Sequence, residues 1–333
     1  MKTLFGALVV GVTALSSAAF AADSIKPAIV FDMGGRHDKS FNEGIDNGAK
    51  KFTKETGIKY GAQEVTNEAQ REQFLRTFAQ KGYDPILAVG FAQADALTKV
   101  AKEFPKLHFA IIDAVVDLPN VQSIVFKEQE GSFLVGMLAA EKSKTGTVGF
   151  VGGMDIPLIR KFGCGYVQGV KYANPNAKVL QNMTGTDPSA WNNPVKGGEL
   201  AKSQIEQGAD VVYAAAGGTG IGVYQAAVDA GKLAIGVDSD QNYLHPGKML
   251  TSMVKKVDVA TEKTFQDAKD GTWKPGIRVL GLAEDGVAAA FDKDNAPLIT
   301  PEMKKKVEAA KADIISGKIK VHDYMSDNAC PVS

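Results

Sequence analysis

Metal and thiol chemistry have little to draw on in this chain. It holds two cysteines, Cys164 and Cys330, and four histidines, His37, His108, His245 and His322, and the histidines show no metal-ligand spacing. No G-x-S-x-G nucleophile elbow is present. Net charge is absent too. The 38 basic residues balance 38 acidic ones, so there is no electrostatic case for nucleic acid or an anionic membrane surface. Beyond residue 21 no apolar run approaches bilayer-spanning length. Catalysis is unsupported, no metal or cofactor is expected, and a neutral or modestly polar small molecule fits this composition best.

What is there begins with Lys2, an apolar segment from Leu4 to Leu15, and small residues ending Ala19-Phe20-Ala21, the pattern of a cleaved secretory leader over 1–21. The remainder is long enough for two domains of roughly 100–200 residues each. The first cysteine is Cys164, so no lipid-carrying cysteine is expected at the cleavage point. In an oxidising compartment a Cys164–Cys330 disulfide is the default. Two unpaired buried thiols are the alternative, because sequence does not show how closely the Cα atoms approach.

Apolar runs at 27–31, 60–65, 85–89, 109–112 and 121–126 alternate with helical patterns at 68–81 and 93–104. Such alternation predicts a doubly wound parallel sheet. A second series restarts at 147–151 and continues through runs at 178–183, 210–215 and 233–237. Two similar α/β lobes follow, with expected bounds of 22–126 plus 252–282 and 127–251 plus 283–333. Thr300 and Pro301 read as the cap and first residue of a terminal helix.

Candidate site residues recur at predicted strand ends: Asp32, Asp113, Gly217 and Asp238. Singly, such aspartates are usually caps or turn residues. Four strand ends split between two lobes favour one shared cleft, the place where open α/β sheets bind ligands. After Asp32, Ser40 and Glu43 have capping-box spacing, which puts Phe41 and Asn42 in the first turn of a helix. Phe41 also fits a core stripe with Ile45, Ala49 and Phe52. Trp191, in the turn-rich loop 187–194, is a stacking surface or a residue packed under its own loop. The glycines at 217, 218, 220 and 222 do not match the dinucleotide fingerprint. Asp32 and Asp38 faintly suggest the calcium loop of nucleoside hydrolases but offer too few oxygens.

The motifs Asp32-Met33-Gly34-Gly35, Asp38-Lys39-Ser40-Phe41-Asn42, 130–136 (EGSFLVG), Trp191-Asn192-Asn193-Pro194, 236–241 (GVDSDQ) and 250–255 (LTSMVK) together resemble the basic membrane protein family. These are substrate-binding proteins of ABC importers, whose best-understood members bind purine nucleosides. The resemblance covers nearly the whole chain after the leader. It implies a type I periplasmic-binding-protein fold with the ligand between two doubly wound parallel-sheet lobes. It also implies a monomeric, non-enzymatic receptor whose partners are a purine nucleoside and an ABC permease in the inner membrane.

Carried over by position, Phe41 and Trp191 would sandwich the base, and Asn42 and Asp113 would read its edges. Asp238 would accept from the ribose hydroxyls and Lys255 donate to them, with Asp32 and Gly217 completing the contacts. Lys255 and Lys256 alternate across a strand, so only one faces the cleft. Motif position favours Lys255. Two features depart from the family: Trp191 stands where other members can carry Phe, and the missing lipoprotein cysteine implies free diffusion in a periplasm. A sugar receptor of the same fold and a secreted nucleoside hydrolase are the alternatives.

Phe41→Ala separates clamp from core. It is expected to weaken ligand binding more than it lowers the stability of the ligand-free protein, measured by titration and thermal melting. Collapse of the ligand-free protein with affinity retained assigns Phe41 to the core.

Overall fold

The computed structural model describes residues 25–332; the expected leader at 1–21 lies outside the described residues. The elements run β1 (Ala28–Phe31), α1 (Phe41–Thr56), β2 (Gly61–Glu64), α2 (Ala69–Gln80), β3 (Ile86–Val89), α3 (Ala94–Glu103), β4 (Phe109–Ile112) and β5 (Val121–Phe126) in the first lobe. Next come α4 (Glu128–Lys142), β6 (Thr147–Met154), α5 (Pro157–Ala173), β7 (Lys178–Gly185), α6 (Pro194–Glu206), β8 (Val211–Ala215), α7 (Gly220–Asp229), β9 (Leu233–Asp238) and β10 (Met249–Lys255). The chain ends through α8 (Val257–Lys269), β11 (Gly276–Leu280), β12 (Val287–Ala289) and α9 (Pro301–Ile315).

Two six-stranded sheets result, ordered β11-β5-β4-β3-β1-β2 and β12-β10-β9-β8-β6-β7. The two orders are equivalent, so the lobes repeat one winding. All pairs in the first sheet are parallel; in the second only β12 runs antiparallel, beside β10. Every residue of β1, β3, β4 and β8 is buried, as continuous apolar runs covered by helices on both faces require.

Three segments join the lobes, at 127, at 256 and at 281–286. They bond to one another: Lys127 N–H donates to Leu280 O at 3.0 Å and Lys256 N–H to Gly286 O at 2.9 Å. The expected boundary between 251 and 252 falls inside β10, which is one unbroken strand of the second sheet through Lys255. Pairing with β9 carries the strand past that point, and α8 then packs on α1 in the first lobe. Near the end of the chain β11 and β12 add one edge strand to each sheet.

The main core cluster runs through both lobes and the helices between them. Helix α4 is buried on nearly every side, which accounts for its all-round apolar sequence. It packs on α5 at backbone distance. A Cβ at Gly169 would lie 1.9 Å from Phe133 O, and one at Gly136 would lie 2.3 Å from Tyr166 O. Cys164 on α5 is disulfide-bonded to Cys330, anchoring the tail. Thr300 caps α9, accepting from Met303 N–H at 3.1 Å. No helix among the described residues is long and apolar enough to cross a membrane.

Gly169→Ala drives a methyl into the α4 backbone and is expected to cost about 1–3 kcal/mol. Denaturant midpoints at unchanged slope measure it.

Candidate functional site

Both lobes turn the carboxyl ends of their strands toward one cavity, at the points where the strand order reverses. In the first lobe Asp32 follows β1 and Gly90-Phe91 follow β3; in the second, Ala216-Gly217 follow β8. Ligands collect at such switch points because neighbouring loops there diverge and leave a crevice. All eight residues expected at the site, Asp32, Phe41, Asn42, Asp113, Trp191, Gly217, Asp238 and Lys255, line this cavity. About 80 Å³ of it is open to water, room for several water molecules.

Asp38 builds the start of α1, correcting the capping box expected from Ser40 and Glu43. Its Oδ1 accepts from Ser40 N–H at 2.8 Å and Glu43 N–H at 3.1 Å, and its Oδ2 from Asn42 N–H at 3.0 Å. The aspartate two residues upstream thus reaches the orphan donors first, while Ser40 makes no side-chain cap bond. Ser40 Oγ instead donates across the cleft to Asp238 Oδ2. Asp38 Oδ2 also takes Asn42 Nδ2 at 3.2 Å, which orients the amide. Asn42 Oδ1 is then buried without a protein partner and is an acceptor held for something else.

Lys39, at φ 61°, turns its carbonyl to the second lobe. Gln241 Nε2 donates to it at 2.8 Å and Ser239 Oγ at 3.1 Å. These bonds and Ser40–Asp238 fasten the lobes together along one edge of the cavity.

Trp191 ends a short 3₁₀ turn begun by Pro188 and capped by Asp187. Thr219 ties that turn to the glycine-rich segment after β8: its Oγ1 donates to Ala190 O at 2.8 Å and accepts from Asn193 N–H at 2.7 Å. The indole lies on Gly153, where a Cβ would come within 2.3 Å of Cζ3. Phe41 and Trp191 both line the cavity and both pack against the main core, so for Phe41 the core and cleft readings are joined.

Lys255, only 2% exposed, reaches in from the end of β10. Its Nζ lies 2.7 Å from both carboxylate oxygens of Asp113 and 3.0 Å from Glu128 Oε1. Lys256 points out and pairs with Asp285. Asp113 and Lys255, given separate ligand contacts by the resemblance, are therefore partners of each other. Asp32 accepts from Arg71 at 3.2 Å. Burial pushes Asp238 up to about 6, against the pull of Lys255 and the Ser40 hydrogen bond. Asp113 is raised by burial as well, with Lys255 opposing. For Lys255, burial favours the neutral amine, but Asp113, Glu128 and Asp238 outweigh it and raise its pKa.

Four carboxylates and one ammonium therefore line the cavity among apolar walls. That surplus of acceptors suits a neutral ligand bearing hydroxyl or N–H donors and disfavours phosphates and carboxylates. Sequence reasoning missed Asp38 as a cleft residue and Ser40 as a bond between the lobes beside it, and also Phe91, Leu158, Ile159 and Phe162 in the walls. On α5, apolar residues at helical spacing carry no signal that separates a cleft wall from a core. Glu128 stood just before the EGSFLVG motif without any signal of its own.

Residues 25–324 match the family described as ABC transporter substrate-binding protein, PnrA-like. A Lactococcus lactis protein named ABC transporter nucleoside-binding protein BmpA is 35% identical, over 89% of this chain and 89% of that one. An uncharacterised lipoprotein of Pyrococcus horikoshii is 38% identical, over 79% of this chain and 68% of its own length. Relatives named as lipoproteins lend no support to the expectation of an unanchored form. Among solved structures, a solute-binding protein of an ABC transporter system from Aeropyrum pernix superposes with a TM-score of 0.83 at 30% identity, over 90% of this chain and 93% of that one. The two-lobed parallel architecture is the type I periplasmic-binding fold, and the chain belongs to the Bmp family of ABC transporter substrate-binding proteins.

Proposed function

We propose that this chain is a non-enzymatic receptor of the periplasm that closes around one purine nucleoside and delivers it to an ABC permease. The observation that carries the proposal is the placement of Phe41 from one lobe and Trp191 from the other on a single cavity with Asp238 beside them. Base stacking on an aromatic is worth about 1–3 kcal/mol and barely distinguishes bases. Selectivity then falls to the polar groups: Asn42 Oδ1 accepts from a base N–H, and Asp238 accepts from the ribose diol in charge-assisted bonds. Lys255 holds Asp113 in place at the same wall, while Asp32 and Gly217 border the sugar. The nucleoside-binding name of the Lactococcus relative supports the ligand class.

Melting the protein, freed of co-purified ligand, against nucleosides, bases, ribose and hexoses tests this. A nucleoside at 100 times its Kd is expected to add about 2.7 kcal/mol of stability. A shift with sugars alone supports a sugar receptor, and no shift with any nucleoside overturns the proposal. Asp238→Asn is expected to weaken ribosides more than free bases in the same assay.

The protonation of Asp238 adds a pH dependence. Its carboxyl rises from the usual 3.8 to about 6 in the folded protein. The folded form therefore holds a proton that the unfolded chain releases between about pH 4 and 6. The stability this gives is fully present below about pH 4 and is lost as pH rises through 6. A diol needs the ionised carboxylate. Riboside affinity is accordingly expected to fall about tenfold from pH 7 to pH 5, and Asp238→Asn to flatten that slope, as read by calorimetric titration.

A further inference from the structure

The tail beyond α9 lies against α5, on the side of that helix away from the ligand cleft. The Cys164–Cys330 bond secures it, and so does a reciprocal pair in which His322 N–H donates to Gln168 Oε1 at 2.8 Å and Gln168 Nε2 donates to His322 O at 3.0 Å. These anchors hold Asp323, whose Oδ2 is 3.6 Å from Lys161 Nζ. Lys161 is itself buried, donates to Phe126 O at 2.7 Å and lies 3.0 Å from Glu128 Oε2. The other oxygen of Glu128 is 3.0 Å from Lys255 Nζ. Charges thus alternate without a gap from the surface tail to the cavity wall: Asp323, Lys161, Glu128, Lys255, Asp113.

We propose that the disulfide-tethered tail is a positioning element for the ligand cleft, acting through Asp323 on Lys161 and Glu128 and so on Lys255. With the tail docked, Lys161 is shielded from water and braces both Glu128 and the Phe126 carbonyl at the lobe crossover. Freed of Asp323, its ammonium turns outward to solvent, and Glu128 keeps one cation where it had two. Glu128 then draws Lys255 away from Asp113. A buried carboxylate without its cation is expensive, so the cleft wall rearranges. Asp323 touches no ligand in this scheme.

The proposal takes its ligand from the nucleoside reading, but one of its two tests needs no ligand. Asp323→Asn, Asp323→Glu and the paired Cys164→Ser/Cys330→Ser variant are made in the full chain and checked for folding by thermal melting. Amine acetylation read by peptide mass spectrometry then reports on Lys161 and Lys255 in the ligand-free protein. Faster labelling of both lysines in Asp323→Asn and in the cysteine variant, with Asp323→Glu restored to wild-type rates, is the expected result. Faster labelling of Lys161 alone, or of neither, overturns the proposal. Titration with the nucleoside selected by the melting panel is expected to show Kd raised about three- to tenfold in Asp323→Asn, and an unchanged Kd also overturns it. If no nucleoside binds the wild type, the nucleoside reading fails, and the labelling rates still decide the role of the tail.

Discussion

One buried ammonium constrains the whole cleft. Lys255 is withdrawn from water among Asp113 of the first lobe, Glu128 at the start of α4, and the field of Asp238 in the second. Taking such charges out of water costs several kcal/mol per ion, and the cost is offset only where partners and geometry are complete. Each lobe and one crossover segment contribute a partner. Lys255 is also the last residue of β10, immediately before the chain crosses at 256. Whatever displaces the ammonium therefore acts on the cavity wall and on a lobe connection together.

The backbone is forced where the lobes meet. Lys39, Asp113 and Asp238 have φ of 61°, 70° and 66°, a left-handed conformation that costs non-glycine residues about 1–3 kcal/mol. Two of them place carboxylates at strand ends, and the third turns a carbonyl toward Gln241 and Ser239. The strain lies at the cavity wall and along the closing edge, where it fixes the direction of polar groups. The lobes meet along that edge through the bonds of Ser40 to Asp238 and of Gln241 and Ser239 to the Lys39 carbonyl.

Much of the architecture was legible in the chain. Fully buried runs such as Ala28–Phe31 and Phe109–Ile112 announce parallel strands, and their alternation with helical patterns dictates two doubly wound lobes. Strand-end position and family motifs together picked out residues that do share a cavity. Boundaries were less legible: the crossing expected between 251 and 252 moved to 256 because pairing with β9 extends β10. Ser40 shows the limit of local spacing. Its separation from Glu43 fits a capping box, yet Asp38 captures the helix donors and leaves the hydroxyl to Asp238, 198 residues away.

The sequence by itself determined most of the strands and helices, their order and the kinds of side chain available at the strand ends, because local periodicity and turn chemistry act over a few residues. Only the tertiary structure decided which of those side chains answer one another. Lys255 was readable as a cleft cation, but its union with Asp113 and Glu128 arises from folding that joins positions far apart in the chain. The same holds for Cys164 and Cys330, and for Asp323 with Lys161. Coulomb attraction and desolvation depend on distances in space and on exclusion of water, and neither exists until both lobes have formed.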